Sequence, residues 1–231
     1  MVLSVVMPAY NEELRIKGNL EDYARTFKDA EILVMIEGDD NTLKIVQELA
    51  KTYKNIAWQH STKRIGKGKA IKQGFALAVG DLVGFADSDG SISAKEFKKL
   101  VENLADSDGI IASRRMPNSV IVEDRPISQR LGSTGLNLLS RFMFGLPFRD
   151  TQCGAKIFKK EVINDILGDI VITDFAFDIN LLYSLKKHNC KIKEMGIEWT
   201  HMRGSKFNFQ VLYWKIVPKL ALSLLKLRFR F

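Results

Sequence analysis

Asp87 and Asp89, one residue apart and followed by Gly90, are the side chains of this sequence best suited to chemistry. They stand where a buried apolar run, Leu82-Val83-Gly84-Phe85-Ala86, stops. Carboxylates at i and i+2 of an extended chain lie on the same side, and Gly90 lets the backbone turn. Hard oxygen ligands for Mg²⁺ or Mn²⁺ therefore converge at a strand's end, where such an ion could be held against a diphosphate. An isolated Asp-x-Asp is equally well a polar loop after a strand, so its neighbours in the sequence decide what it means.

Two other segments keep it company. Leu3-Ser4-Val5-Val6-Met7 is a β-rich run that Pro8 is expected to stop, followed by Ala9-Tyr10-Asn11-Glu12-Glu13, which can start a helix. Arg64-Ile65-Gly66-Lys67-Gly68-Lys69-Ala70 is a basic loop opening a helix. Its glycines allow close backbone approach to a ligand, and its lysines add positive charge near a helix N-terminus, where anions are favoured. The full Walker spacing is absent, which excludes a P-loop.

The elements that must position these residues alternate. Strands are expected at 2–7, 31–36, 56–59, 82–86 and 109–113, with helices near 11–28, 41–53, 67–79 and 94–104. Strand–helix alternation predicts an α/β fold with a mostly parallel sheet covered on both faces, whose ligands collect at the carboxyl ends of the strands. Pro8-Ala9-Tyr10, the segment 37–40 and Asp87-Ser88-Asp89 all sit at such ends. From Pro126 to Phe148 a helical pattern carries Leu136, Leu138, Leu139, Phe142, Met143 and Phe144 together with Arg130 and Arg141. Periodicity alone leaves open whether that helix is core or contacts lipid.

The order Pro-Ala-Tyr-Asn-Glu, Gly-Lys-Gly-x-Ala and Asp-Ser-Asp within the first 90 residues resembles the family 2 glycosyltransferases of the GT-A fold. Ser113-Arg114-Arg115, Asp150-Thr151-Gln152-Cys153-Gly154-Ala155-Lys156, Phe177-Asp178, and Trp199-Thr200-His201 with Gly204-Ser205-Lys206 resemble the branch that glycosylates polyprenyl phosphates, the dolichyl-phosphate glucose and mannose synthases. The resemblance spans nearly residues 2–206. It implies inverting transfer of a hexose from a nucleotide sugar, UDP-glucose or GDP-mannose, to a polyprenyl phosphate with Mg²⁺ or Mn²⁺. Asp87 and Asp89 are then the metal ligands. Pro8, Ala9, Tyr10, Glu12, Glu37, Lys67 and Lys206 hold the donor, Arg114 and Arg130 hold the acceptor phosphate, and Asp178 stands close to the reaction centre. The alternative for Asp178 is a charge at a helix start. His201 and Arg203 are rivals for one contact to the diphosphate. One segment departs from the family pattern: Ile36-Glu37-Gly38-Asp39-Asp40 puts Ile where relatives carry the first acid of Asp-Asp-Gly-Ser, so Glu37 is expected to contact the base or ribose in its place.

With 231 residues, 46% of them hydrophobic, the chain can bury a sizeable core as one catalytic domain, 1–206, followed by a basic segment, 207–231. Its two cysteines, Cys153 and Cys190, have no metal-ligand spacing, and with no leader evident they predict reduced thiols and a cytoplasmic site. The net charge is +8. After Trp199 there is no acidic residue, and Lys and Arg alternate with aromatic and aliphatic residues. That tail is too interrupted to span a bilayer, so an amphipathic helix lying in the membrane interface, or one packed on the protein's own core, is expected. Nucleic acid is not expected, because no binding motif accompanies the charge. Two further readings remain: transfer to a hydroxyl acceptor with Asp178 as base, and a non-catalytic nucleotide-sugar or lipid-binding module.

Overall fold

The computed structural model describes residues 1–123, 127–174 and 176–202, together with 223, 227 and 228. Five strands and four helices alternate first: β1 (Leu3–Tyr10), α1 (Ile16–Thr26), β2 (Glu31–Glu37), α2 (Thr42–Thr52), β3 (Ile56–Ser61), α3 (Lys67–Leu77), β4 (Leu82–Ala86), α4 (Ala94–Glu102) and β5 (Gly109–Ser113). The expected order is thus borne out, with the ends shifted by a few residues. Then follow β6 (Val120–Glu123), α5 (Ile127–Phe144), β7 (Ala155–Lys159), α6 (Lys160–Ile166), α7 (Phe177–Lys187), β8 (Ile192–Gly196) and β9 (Glu198–Thr200).

Seven strands form one sheet in the order β3-β2-β1-β4-β7-β5-β8, and β6 pairs with β9 in a separate ribbon. All neighbours in the large sheet are parallel except β7, which runs antiparallel between β4 and β5. The pleat divides the buried side chains into two cores. Val5, Met7, Ile32, Val34 and Ile110 meet α1, α2 and α4 on one face, whereas Val6, Leu33, Met35, Val83, Phe85 and Ile111 meet α3, α6 and α7 on the other.

Pro8 does not end β1, which continues to Tyr10. Beyond Val6, β1 is paired only with β2, since its register with β4 stops at Val6–Phe85. Asn11 donates its amide to Glu37 on the β2 side, so alternate residues, Pro8 among them, face the side that β4 has left, and the missing N–H breaks no ladder. The helical pattern over 126–148 ends at Phe144. Gly145 takes φ +59°, and Lys186 Nζ donates to the carbonyls of Phe144 and Gly145 at 3.0 and 2.8 Å. Leu146 and Phe148 then enter the second core as an extended segment.

Among the described residues no helix is long and apolar enough to cross a membrane. The expectations for Arg203, Lys206 and most of the segment 207–231 lie outside the described residues. Of that segment, Leu227 is buried in the second core and Ser223 donates to Asp174 at 2.9 Å.

Candidate active site

Asp87 is the first residue beyond β4. Its amide donates to the Gly154 carbonyl at 3.0 Å, and Asn19 of α1 donates to its carbonyl at 3.2 Å, which fixes the backbone on both sides. Asp89 Oδ1 accepts the Ser91 amide at 3.0 Å, closing a turn in which Gly90 takes φ +82°. The two carboxylates are partly exposed at the carboxyl end of the sheet, as the alternation of elements predicted.

Lys67, at the first position of α3, reaches Asp87 Oδ1 at 2.6 Å. Burial opposes its charge, but Asp87, Asp178 and Asp89 together outweigh that penalty and hold its pKa above the ordinary lysine value. The neighbouring glycines also serve packing. Gly66 takes φ +97°, and a Cβ at Gly68 would stand 2.5 Å from Phe177 Cβ, so α3 and α7 are in close contact.

Asp178 lies in the first turn of α7, and its Oδ1 is 2.5 Å from Nζ of Lys156, which is fully buried on β7. Lys156 also donates to the Cys153 carbonyl at 2.8 Å. Both ammonium groups, Lys67 and Lys156, lie over the Phe85 ring, at 5.6 and 5.1 Å from its centroid. Three carboxylates and two ammonium groups leave this cluster one net negative charge, which suits the arrival of a divalent cation.

The donor set fits Mg²⁺ or Mn²⁺. The described residues contain no group of three His, Cys, Asp or Glu side chains able to enclose a metal. Two carboxylates at a strand end are instead the donors expected when substrate phosphates complete the shell. Gly154 leaves room for them, since a Cβ there would stand 2.0 Å from Asp87 Oδ2. Gly154→Ala is therefore expected to displace the Asp87 carboxylate and lower turnover by about tenfold or more while the protein still folds. Steady-state rates beside a thermal melt check this.

Arg114, at the end of β5, is held by a carboxylate. Its Nε and Nη2 bind Asp150 at 2.6 and 2.8 Å, and its amide donates to the same carboxylate at 3.1 Å. Its guanidinium also lies 5.5 Å from the centre of the Trp199 ring. Burial would raise the Asp150 pKa, but Arg114 overrides it and holds the carboxyl well below the usual range. In the sequence Asp150 stands out only as part of a motif. Its partner is 36 residues away, and no local spacing signals such a pair. Arg130 sits exposed on α5, with its carbonyl accepting from Ser133 and Thr134. Both cysteines are free, and burial pushes the Cys153 thiol up to about 12.

On the other side of the sheet end, Pro8, Ala9 and Tyr10 end β1 beside Glu37, which is opposite Tyr10 in the register. The Arg64 guanidinium lies 4.4 Å from the centre of the Tyr10 ring, a flat cationic stack of the kind that could flank a base. Glu37 is buried, and its Oε2 accepts the amides of Ile65 and Gly66 at 2.8 and 3.0 Å, so it anchors the loop that carries Arg64. Glu12 holds Arg15 through two bonds of 2.7 and 2.6 Å and fixes the start of α1. His201 is tied through its amide to the Glu123 carbonyl at 2.8 Å.

A human protein named dolichyl-phosphate beta-glucosyltransferase is 30% identical over 257 residues, covering 99% of this chain and 75% of its own length. Proteins of the same name from Dictyostelium discoideum and Saccharomyces cerevisiae are 28% and 31% identical, covering 99% and 88% of this chain and 74% and 68% of their own lengths. Among solved structures, glucosyl-3-phosphoglycerate synthase from Mycobacterium tuberculosis in complex with UDP superposes with a TM-score of 0.72 at 18% identity, covering 98% of this chain and 80% of that one. It was also crystallised with Mn²⁺, UDP-glucose and phosphoglyceric acid. A mannosyltransferase from Pyrobaculum calidifontis gives a TM-score of 0.60 at 19% identity, covering 88% of this chain and 57% of its own. These likenesses establish the GT-A fold, and with residues 4–167 matching the family itself, the chain belongs to glycosyl transferase family 2.

Proposed function

We propose that this glycosyltransferase moves glucose from UDP-glucose to a polyprenyl phosphate of the dolichyl type, with inversion, on the cytoplasmic face of a membrane. The nucleophile is the phosphate of the lipid. Its second pKa lies near 6, so it is largely dianionic at neutral pH and needs no general base. The protein's task is to hold two phosphorylated partners in line and to offset their repulsion.

The observation that carries this reading is the engagement of Asp178 with the buried ammonium of Lys156. A hydroxyl acceptor would need a carboxylate available to take its proton, whereas a phosphate acceptor needs Asp178 only to fix the floor of the site. The names of the relatives point the same way. In this reading Asp87 and Asp89 would hold Mg²⁺ or Mn²⁺, which would supply Lewis-acid stabilisation of a diphosphate leaving group. Lys67 adds charge beside the same oxygens, Tyr10 and Arg64 flank the base with Pro8, Ala9, Glu12 and Glu37 shaping that side, and Arg130 and Lys206 contribute cations to the phosphates. Arg114 stiffens the acceptor side through Asp150.

The test is transfer from labelled UDP-glucose and, separately, GDP-mannose to a short polyprenyl phosphate, with Mn²⁺ or Mg²⁺ and then with EDTA. Labelled lipid from UDP-glucose alone, abolished by EDTA, is the expected result. Lipid labelled from GDP-mannose instead would change the donor. Product only with a hydroxyl acceptor would return Asp178 to the role of base, and donor binding without any turnover would leave a non-catalytic module.

A further inference from the structure

Against α5 the surface opens into a cavity of about 470 Å³ lined by Arg115, Thr134, Asn137, Leu138, Arg141 and Arg149. Three arginines and no acid face it. Arg115 Nη2 donates to Thr134 Oγ1 at 3.0 Å, but its Nε is buried without a hydrogen-bond partner. Buried donors are nearly always paired, so this one sets Arg115 apart as incompletely satisfied, while the cavity itself is lined by guanidinium groups and no carboxylate. Neither Arg141 nor Arg149 has a carboxylate partner among the described residues. Glu194, which stands nearby, uses both oxygens on the backbone amides of Arg149 and Asp150.

The floor of this cavity is tied to the catalytic loop. Asn137 Oδ1 accepts both the amide and the hydroxyl of Thr151, at 3.0 and 2.9 Å, and from Thr151 the chain runs three residues to Gly154, against Asp87. Leu138 lines the cavity, and α5 exposes part of its apolar surface next to it. Asn137 and Ser140 are buried, whereas Leu138, Leu139 and Phe142 are 65%, 45% and 89% exposed. Three large apolar side chains exposed at i, i+1 and i+4 of one helix form a patch suited to an apolar partner.

We infer that Arg115, Arg141 and Arg149 receive the phosphate of a prenyl monophosphate, and that its chain lies along Leu138, Leu139 and Phe142. The inference rests on the reading above for its ligand class. It places the main acceptor contact beside Arg114, whose Nε and Nη2 are already engaged by Asp150. Guanidinium groups suit a phosphate dianion through paired, charge-assisted hydrogen bonds, and the apolar strip supplies the complement for an isoprenoid.

The test is direct binding of farnesyl monophosphate in dilute solution, measured by calorimetry on the full chain, wild type and Arg141→Gln/Arg149→Gln. Both side chains are exposed, so the fold should persist. Arg25→Gln/Lys51→Gln, on exposed helix surfaces, removes the same charge elsewhere and serves as control. The expected result is an affinity for farnesyl monophosphate at least about tenfold weaker in the arginine pair and unchanged in the control, with inorganic phosphate and farnesol each a poor competitor. Unchanged affinity in the arginine pair would overturn the assignment. So would equal competition by inorganic phosphate, which would make this a soluble-phosphate site. Loss of binding only to phosphatidylserine vesicles, with farnesyl monophosphate still held, would make it a headgroup site. The readout needs no turnover, so failed glycosyl transfer and a failed phosphate pocket remain distinguishable.

Discussion

Asp89→Ala is expected to lower transfer by roughly 10²–10³-fold at saturating donor, with the melting temperature nearly unchanged. Its carboxylate contributes one local hydrogen bond, to the Ser91 amide, so the fold has little to lose. The reaction has more to lose. Asp87 shares an oxygen with Lys67 and retains a cation without any metal, whereas Asp89 has no ion-pair partner among the described residues. Removing Asp89 therefore takes away the carboxylate least served by the protein itself. Rates with UDP-glucose across a Mn²⁺ titration, beside the donor-induced shift in melting temperature with and without Mn²⁺, would separate lost metal binding from lost donor binding. Near-native turnover in this variant would remove Asp89 from the metal site.

Lys156→Met should have the largest effect on stability. The lysine is fully buried and Asp178 nearly so, and their 2.5 Å contact is the main compensation for burying both charges. Methionine fills the space of the lysine stem but leaves Asp178 charged and unpaired, a change that typically costs about 3–5 kcal/mol. At roughly 2–4 °C per kcal/mol for a chain of this size, the melting temperature should fall by about 10 °C. Lys156→Met/Asp178→Asn should recover most of that loss, because a neutral amide needs no counter-charge, and the coupling between the two sites should be large and favourable. Additive losses in the two single variants would mean that the pair is not coupled. Comparing turnover of Asp178→Asn with that of the double variant then tells whether Asp178 acts on substrate or through the shape of the site.

Much of the first half was legible in the chain. The β-runs ending at Tyr10, Glu37 and Ala86 are short, nearly continuous apolar stretches, as strands buried on both faces of a parallel sheet require, and such a run is a local property of the chain. Their carboxyl ends had to gather in a parallel sheet, so Asp87, Asp89, Tyr10 and Glu37 came to one rim. The second half was harder to read. Ala155–Lys159 is short and follows a loop rather than a helix, so nothing in its sequence signals that it would insert antiparallel between β4 and β5. Glu37 was expected to meet a base and also ties down two amides of the next loop, a contact across 28 and 29 residues.

The sequence by itself determined the α/β class, the order of its first nine elements and the acidic pair at the fourth strand's end, because strand period, turn residues and i, i+2 geometry are all set by neighbours in the chain. Only the tertiary structure decided which charges meet. Lys156 finds Asp178 across 22 residues, Arg114 finds Asp150 across 36, and α5 turns Leu138 and Phe142 outward above three arginines. Such pairings follow from where β7 enters the sheet and how α5 lies beside it, and burial then makes each ion pair compulsory, since a charge removed from water must be met by another.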